Sequence, residues 1–274
     1  MSINIAIIGH GYVGKAVDHG FSTSQVEKYI VDPLYGTTLD QLKGKVRLDA
    51  AFVAVPTPFG SDGEIDASIV KDVVRQLEHF SCPIIIKSTT TPDIVDELYL
   101  ENERVVYNPE FLTEKNALDD FINPPMHVLG GKRKYCERVL DLYENYSQCK
   151  PCQVFYMTAK EASFVKYGIN SYLATKVLWF NQFKDIVEDW EGKYNVIVNA
   201  IGSDPRIGHS HTQVPGPDGR KGFGGACFPK DTNAFSTFSK GDFGVLDEVI
   251  KHNNVYRKSY DLDEREKEQK VNYG

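Results

Sequence analysis

Residues 3–8, Ile-Asn-Ile-Ala-Ile-Ile, form an apolar run that stops at Gly9-His10-Gly11-Tyr12-Val13-Gly14. A run of this kind suits a strand buried on both faces, which is the condition of a parallel sheet covered by helices. Glycine at the first position permits a tight turn. The second lets the backbone approach a pyrophosphate, and the third lets the following helix pack closely on the sheet. The mouth of that helix supplies N–H donors and a partial positive charge. Asp32 follows the next apolar run, Tyr29–Val31, at the spacing where a carboxylate accepts from a ribose 2′-hydroxyl and repels a 2′-phosphate. Strand, glycines, helix and acid together read as a dinucleotide site with NAD as the cofactor. The plainer alternative is a glycine turn beside an incidental surface aspartate.

Short apolar runs recur at Phe52–Val55, Ile84–Ile86, Val105–Tyr107, His127–Leu129 and Val154–Met157. Helical patterns separate several of them, at Ser68–Leu77, Pro92–Leu98 and Lys132–Tyr146. This alternation predicts an α/β fold, a Rossmann-like doubly wound parallel sheet over residues 1–157. The character changes at Thr158-Ala159-Lys160-Glu161, which has the spacing of a capping box. Ala162, Val165, Ile169, Leu173, Val177, Phe180, Phe183 and Val187 then recur in steps of three and four. The pattern predicts one long helix that links domains or builds a dimer, at the head of an α-helical central domain over residues 158–257. A helix buried only within its own chain is the alternative. A loop rich in Pro and Gly follows at 207–225, then helical patterns near Thr232–Phe238 and Val245–Tyr256. The charged tail, 258–274, reads as a solvated helix or as disordered chain.

Composition narrows the function. The 274 residues are 41% hydrophobic and 25% charged, so a sizeable core is expected. The formal net charge of −7, with no block of Lys and Arg, argues against a nucleic-acid partner. No apolar run approaches the roughly 20 residues that cross a bilayer, and the N-terminus lacks the basic region of a signal peptide. Five scattered cysteines suit a reducing compartment, and a cytoplasmic location is expected. Cys149 and Cys152 have a redox or half-zinc spacing without a second pair, and His209 and His211 are two ligands on one loop. Neither makes a metal site, and none is expected.

Chemistry concentrates in Gly224-Gly225-Ala226-Cys227-Phe228-Pro229-Lys230-Asp231. Pro229 suits the first turn of a helix, which places Cys227 near its mouth, where the dipole favours thiolate. Asp231 lies four residues on. A small cysteine buried in a tight turn is the equal alternative. Lys166 and Asn170, also four apart, share a helix face; they read as an oxyanion-stabilising pair or as a solvated lysine with an incidental amide. Three loops follow strand ends: Val55–Pro58, Lys87–Thr90 and Asn108–Glu114. In open α/β sheets that is where ligands bind.

Taken together, the chain resembles the UDP-glucose/GDP-mannose dehydrogenase family, the NAD-dependent nucleotide-sugar 6-dehydrogenases. The likeness is carried by the glycine loop, Val55–Pro58, Lys87–Thr89, Asn108–Glu114, Glu161–Asn170, Asp204–Gly208 and Gly222–Asp231, in family order. It implies four-electron oxidation of a UDP-glucose-like C6 alcohol to the uronate, with Cys227 as nucleophile. Lys166 would stabilise the oxyanion, Asn170 and Asp231 would hold or activate water, and Glu114 and Thr89 would join that network. Gly9, Gly11, Tyr12, Val13, Gly14, Asp32, Thr57, Thr89, Glu114 and Lys230 would contact NAD. Glu110, Phe111, Leu112, Lys166, Asn170, Arg206, Phe223 and Gly224 would contact or frame the sugar nucleotide. A homodimer through the long helix is implied. The family's third, nucleotide-gripping domain has no counterpart in this sequence, so another subunit or a separate chain is expected to supply those contacts, unless the long 209–221 loop replaces some of them. Two other readings stand beside this one: a weakly catalytic NAD-binding partner of a fuller enzyme, and a two-electron hydroxyacid dehydrogenase that needs no thiol.

Overall fold

The computed structural model describes residues 2–60, 63–113 and 115–274. The chain divides into two compact units. The first comprises residues 1–57 and 66–166, the second residues 58–65 and 167–274.

The first unit is a seven-stranded sheet: β1 (Ile3–Ile8), β2 (Val26–Val31), β3 (Ala50–Val53), β4 (Ile84–Ile86), β5 (Val105–Tyr107), β6 (Met126–Gly131) and β7 (Gln153–Met157). The strand order is β2-β1-β3-β4-β5-β6-β7. The first five strands are parallel; β6 runs antiparallel to β5, with Tyr107 opposite Gly130, and β7 is parallel to β6. The expected α/β architecture is therefore present, with one reversal that a run of short apolar segments does not reveal.

The apolar runs follow from burial on both faces. Ile5 and Ile7 point to one side of the sheet, with Phe52, Ile85 and Val106. There they meet Ala16, Val17 and Phe21 of α1 (Tyr12–Gly20) and its C-terminus, and Val139 and Tyr143 of α5 (Arg133–Tyr146). Ala6 and Ile8 point to the other side, with Ala51, Val53, Ile84 and Ile86. They pack against α2 (Ser68–Gln76), α3 (Pro92–Glu101) and the first turns of α6 (Ala159–Asp189). Successive residues of a strand alternate faces, so two covered faces demand an unbroken apolar sequence. Each buried isoleucine contributes roughly 1.5–3 kcal/mol. A short α4 (Ala117–Ile122), not legible in the sequence, sets Phe121 into the same cluster as Phe21 and Tyr143.

The capping box forms as the spacing predicts: the Thr158 backbone N–H donates to Glu161 Oε2 at 2.8 Å. From it α6 runs for 31 residues. In the second unit its apolar stripe meets α7 (Tyr194–Gly202), α8 (Phe228–Ser239) and α9 (Gly244–Arg257). Phe180 and Val187 pack with Tyr194, Val198 and Val214; Ala174 and Leu178 pack with Phe223 and Val249.

The reading of the tail is corrected here. Residues 263–273 form α10 (Glu264–Glu268) and a following stretch that docks: Glu266 is wholly buried, and Val271 and Tyr273 nearly so. Charge density misled, because the buried carboxylate meets a buried guanidinium from Arg257. Among the described residues no helix is long and apolar enough to cross a membrane.

Candidate active site

In the first unit the turn between β1 and α1 is built around its glycines. Gly9 adopts φ +85°, and a Cβ there would lie 2.6 Å from the Ala54 carbonyl oxygen. A Cβ on Gly14 would lie 1.9 Å from the Gly9 carbonyl oxygen, so helix and turn touch backbone to backbone. Gly11 faces open space. No side chain among the described residues caps α1 at Gly11. An uncapped helix mouth beside an open glycine is the cradle a phosphate needs.

Asp32, nearly buried, closes one side of that turn. Its carboxylate accepts from the His10 backbone N–H at 2.7 Å and from the Leu34 N–H at 2.8 Å. The carboxylate of the second strand end is thereby tied to the glycine turn, in reach of the ribose of anything bound there. The Tyr12 hydroxyl donates to the Thr113 carbonyl, and Val13 is half-buried. Thr57 is buried and Thr89 half-buried; Ser88 between these loops donates from Oγ to the Val55 carbonyl at 2.7 Å. Cradle, open glycine and carboxylate fit a dinucleotide with an unphosphorylated ribose.

The same unit buries two lysines near one carboxylate. Lys166 Nζ donates to the Glu110 carbonyl at 2.7 Å and to its Oε1 at 3.0 Å. The other Glu110 oxygen accepts from the Leu112 N–H at 2.6 Å, and Phe111 presents its ring 5.6 Å from the ammonium. Lys87 Nζ donates to Asn108 Oδ1 at 3.0 Å, an oxygen that also accepts from the Tyr143 hydroxyl at 2.7 Å. Burial pushes the Lys87 amine down to about 8; the Glu110 charge opposes this and the Lys166 charge adds to it. Burial, with the Lys87 charge, also holds His127 neutral, down to about 4. A cavity of about 30 Å³, lined by Lys87, Asn108, Glu110, His127 and Tyr143 among others, opens beside them.

In the second unit Cys227 is the N-cap residue of α8, with Pro229 in the first turn, as its sequence predicts. It is a half-buried thiol in no disulfide. The Asp231 N–H donates to the Cys227 carbonyl at 2.8 Å, the first turn of the helix. Asp231 is buried between two donors: Asn170 Nδ2 at 2.6 Å from one oxygen and Lys230 Nζ at 2.6 Å from the other. A buried carboxylate with both oxygens engaged in this way is fixed in place.

The approach to Cys227 is pinned along its backbone. The Gly222 N–H donates to Asn181 Oδ1 at 3.0 Å. Asn253 clamps Phe223 from both sides, accepting from its N–H at 2.7 Å and donating to its carbonyl at 3.0 Å. The Gly225 N–H donates to Glu266 Oε1 at 3.1 Å.

Of the residues named from sequence, the first unit carries Gly9, Gly11, Tyr12, Val13, Gly14, Asp32, Thr57, Thr89, Glu110, Phe111, Leu112 and Lys166. The second carries Asn170, Arg206, Phe223, Gly224, Cys227, Lys230 and Asp231. Glu114 lies outside the described residues. The Phe223 side chain packs in an apolar cluster, and Gly224 lies under Arg257, so both frame the loop from behind. The Arg206 side chain is exposed and pairs with Asp204 at 2.6 Å. Asn181, Asn253, Arg257 and Glu266 went unnoticed in the sequence. The one available signal was Asn181, a polar residue directly beside the apolar stripe of α6.

Residues 33–147 match the NAD-binding domain of the UDP-glucose/GDP-mannose dehydrogenase family, and residues 160–255 match its central domain. The first match begins beyond the glycine turn, so the reading of that turn stands on its geometry. A UDP-glucose 6-dehydrogenase of Rickettsia bellii is 31% identical over 92% of this chain and 67% of its own length. One from Rickettsia conorii is 31% identical over 92% of this chain and 66% of its own. Among solved structures, a UDP-glucose dehydrogenase from Pyrobaculum islandicum superposes with a TM-score of 0.77 at 26% identity, covering 93% of this chain and 68% of that one. The chain thus spans about two thirds of the length of the relatives it matches.

Proposed function

The chain belongs to the UDP-glucose/GDP-mannose dehydrogenase family, and from that premise we propose that it oxidises the C6 alcohol of a UDP-glucose-like sugar nucleotide to the carboxylate, with Cys227 as the covalent nucleophile. The observation that carries the reading is the head of α8: a thiol at the N-cap, with a buried carboxylate one turn on that is held by Asn170 and Lys230. NAD, when bound at the glycine turn, supplies the hydride acceptor for each oxidation. Asp32 would select it by accepting from the ribose hydroxyls.

The chain's own residues then have distinct tasks. The Cys227 sulfur adds to the C6 aldehyde, and the former carbonyl oxygen becomes an oxyanion. Lys166, oriented by Glu110, is the cation that stabilises it. An oriented charge in a dry site is worth a few kcal/mol of barrier, by about the amount one oxyanion donor contributes elsewhere. Oxidation at C6 leaves a thioester on Cys227. Asn170 and Asp231 place the water that attacks it, and the thiolate departs as the carboxylate forms. Covalent capture keeps a reactive aldehyde from escaping between the two oxidations.

Tyr172, Trp179, Ile186 and Trp190 support a homodimer through α6. Tyr172, Trp179 and Ile186 recur at intervals of seven along the helix, Trp190 follows directly after its end, and the four remain exposed by 52–84% of their surface. Exposed apolar stripes of this length mark interaction surfaces.

The test is absorbance in the NADH band with NAD and a panel of UDP- and GDP-sugars, wild type beside Cys227→Ala. The expected result is two NADH per sugar for wild type and loss of the complete reaction in the variant. A Cys227→Ala enzyme that keeps its rate would point to two-electron chemistry without a thiol; no NADH from any sugar would leave only cofactor binding.

A further inference from the structure

The segment after α9 ends in a buried ionic cluster that takes no part in the proposed reaction. Arg257 and Glu266 are both wholly buried. Arg257 Nη2 donates to Glu266 Oε1 at 2.8 Å, and Nη1 donates to Asp218 Oδ2 at 2.7 Å. The same Oε1 accepts from the Tyr273 hydroxyl at 2.6 Å and from the Gly225 N–H at 3.1 Å. Three donors therefore converge on one oxygen, and one of them is the backbone two residues before Cys227. The other oxygen, Oε2, accepts from the Asp263 N–H at 2.9 Å, which closes the capping box of α10. Burial disfavours charge on Glu266, but the bonds from Tyr273, Asp263 and Gly225 and the Arg257 charge hold its carboxyl below the usual carboxylate range. The Gln269 carbonyl accepts from the Phe59 N–H at 3.1 Å, so the segment is also tied down on its far side.

The glycine before Gly225 shows how closely this cluster presses on the loop. A Cβ on Gly224 would lie 2.1 Å from Arg257 Nη2 and 2.7 Å from Glu266 Oε1. A side chain at 224 would force the ion pair to shift. Gly225 itself adopts φ +78°, the turn that aims the chain into Cys227. Asn181 and Asn253, on α6 and α9, hold Gly222 and Phe223. The last anchor before the thiol comes instead from the chain's C-terminal segment.

We infer that Glu266 is a positioning residue for Cys227: with Arg257 and Tyr273 it forms a clasp that fixes the Gly224–Gly225 backbone and so the placement of the thiol at the mouth of α8. The inference rests on Cys227 being the reacting thiol. It gives the residues 263–273 a catalytic purpose that their charge and their distance in sequence do not reveal. A thiolate gains from a helix mouth only when it is held against the N–H donors there. Loosening Gly225 therefore lowers the reactivity of this one sulfur.

The test is alkylation of the whole 274-residue chain by iodoacetamide at neutral pH, read peptide by peptide, with half-buried Cys149 as internal reference. Glu266→Gln converts charge-assisted bonds to neutral ones and leaves Arg257 undercompensated. It is expected to slow Cys227 alkylation about threefold or more through a smaller thiolate fraction, with the Cys149 rate unchanged. Tyr273→Phe, which removes one donor and keeps the ring, is expected to move the Cys227 rate in the same direction by less. It decides the matter alone if Glu266→Gln does not fold. A Cys227-to-Cys149 rate ratio equal to wild type in the folded variants overturns the inference. So do two rates that rise together, the sign of general loosening. No oxidation of substrate is needed, so a wild-type protein that reduces no NAD would sink the dehydrogenase reading while this ratio still decides the clasp.

Discussion

Lys87 shows what a single buried charge does to the molecule as pH changes. Its amine falls to about 8 from an ordinary 10.5 because it is out of water, with the Glu110 carboxylate only partly compensating. Between those two values the unfolded chain binds a proton that the native chain has lost, so native stability rises with pH through that window. One pKa unit is 1.36 kcal/mol, so the full gain is on the order of 3 kcal/mol. Urea unfolding of wild type against Lys87→Met, from pH 7.5 to 10.5, is the check. The wild-type midpoint should gain on the variant as pH rises, and parallel midpoints would show that the amine titrates normally. At this scale the sequence was partly legible. Gly9, Gly14 and Asp32 announced themselves because the glycine turn and the next strand end fix their spacing, whereas Asn170 and Asp231 took their roles only from the family resemblance. Asn253 and Glu266 did not: the loop backbone each holds, at Phe223 and Gly225, lies 30 and 41 residues away, and nothing local records that pairing.

Elements were read with more success where periodicity is strict. β1, β4 and β5 lie where the apolar runs place them, and α6 starts at its capping box. β3 ends at Val53, two residues before the expected Val55, because its neighbours end there: Val53 lies opposite Ile8, the last residue of β1 before the glycine turn, and opposite Ile86, the last of β4. The reversal of β6 escaped, since a three- to six-residue apolar run reads the same in either direction. α7 escaped because its Asn-Val-Ile-Val-Asn core resembles a strand. The exposed face of α6 carries its own prediction. Trp179→Glu with Trp190→Glu places two charges on the stripe; it removes the Trp179 ring contacts with Phe180 and Phe183 but keeps the buried Phe180 and Val187 themselves. Light scattering should give a dimer mass for wild type and a monomer mass for the double variant, with helix content retained. A monomeric wild type at micromolar concentration would remove the dimer from the account.

At the scale of the whole molecule, the chain divides into two compact units: one holds an uncapped helix mouth, a carboxylate and a buried ammonium, and the other holds a thiol, an amide and a buried acid. The fold class was legible because it rests on local period and glycine spacing. The docking of residues 263–273 was not, because the one buried carboxylate, Glu266, is satisfied by Arg257, Tyr273 and the Gly225 backbone, which come together only in three dimensions. The account stands on sulfur becoming acylated. The direct measurement is acid quench of wild type and Asp231→Asn after mixing with NAD and whichever sugar nucleotide yields NADH, followed by mass analysis of the peptide containing Cys227. The account predicts an acyl sugar-nucleotide adduct on Cys227, accumulating in Asp231→Asn because its release by water is slowed. Carboxylate product formed at the wild-type rate by Cys227→Ala, with no adduct in either protein, would contradict it.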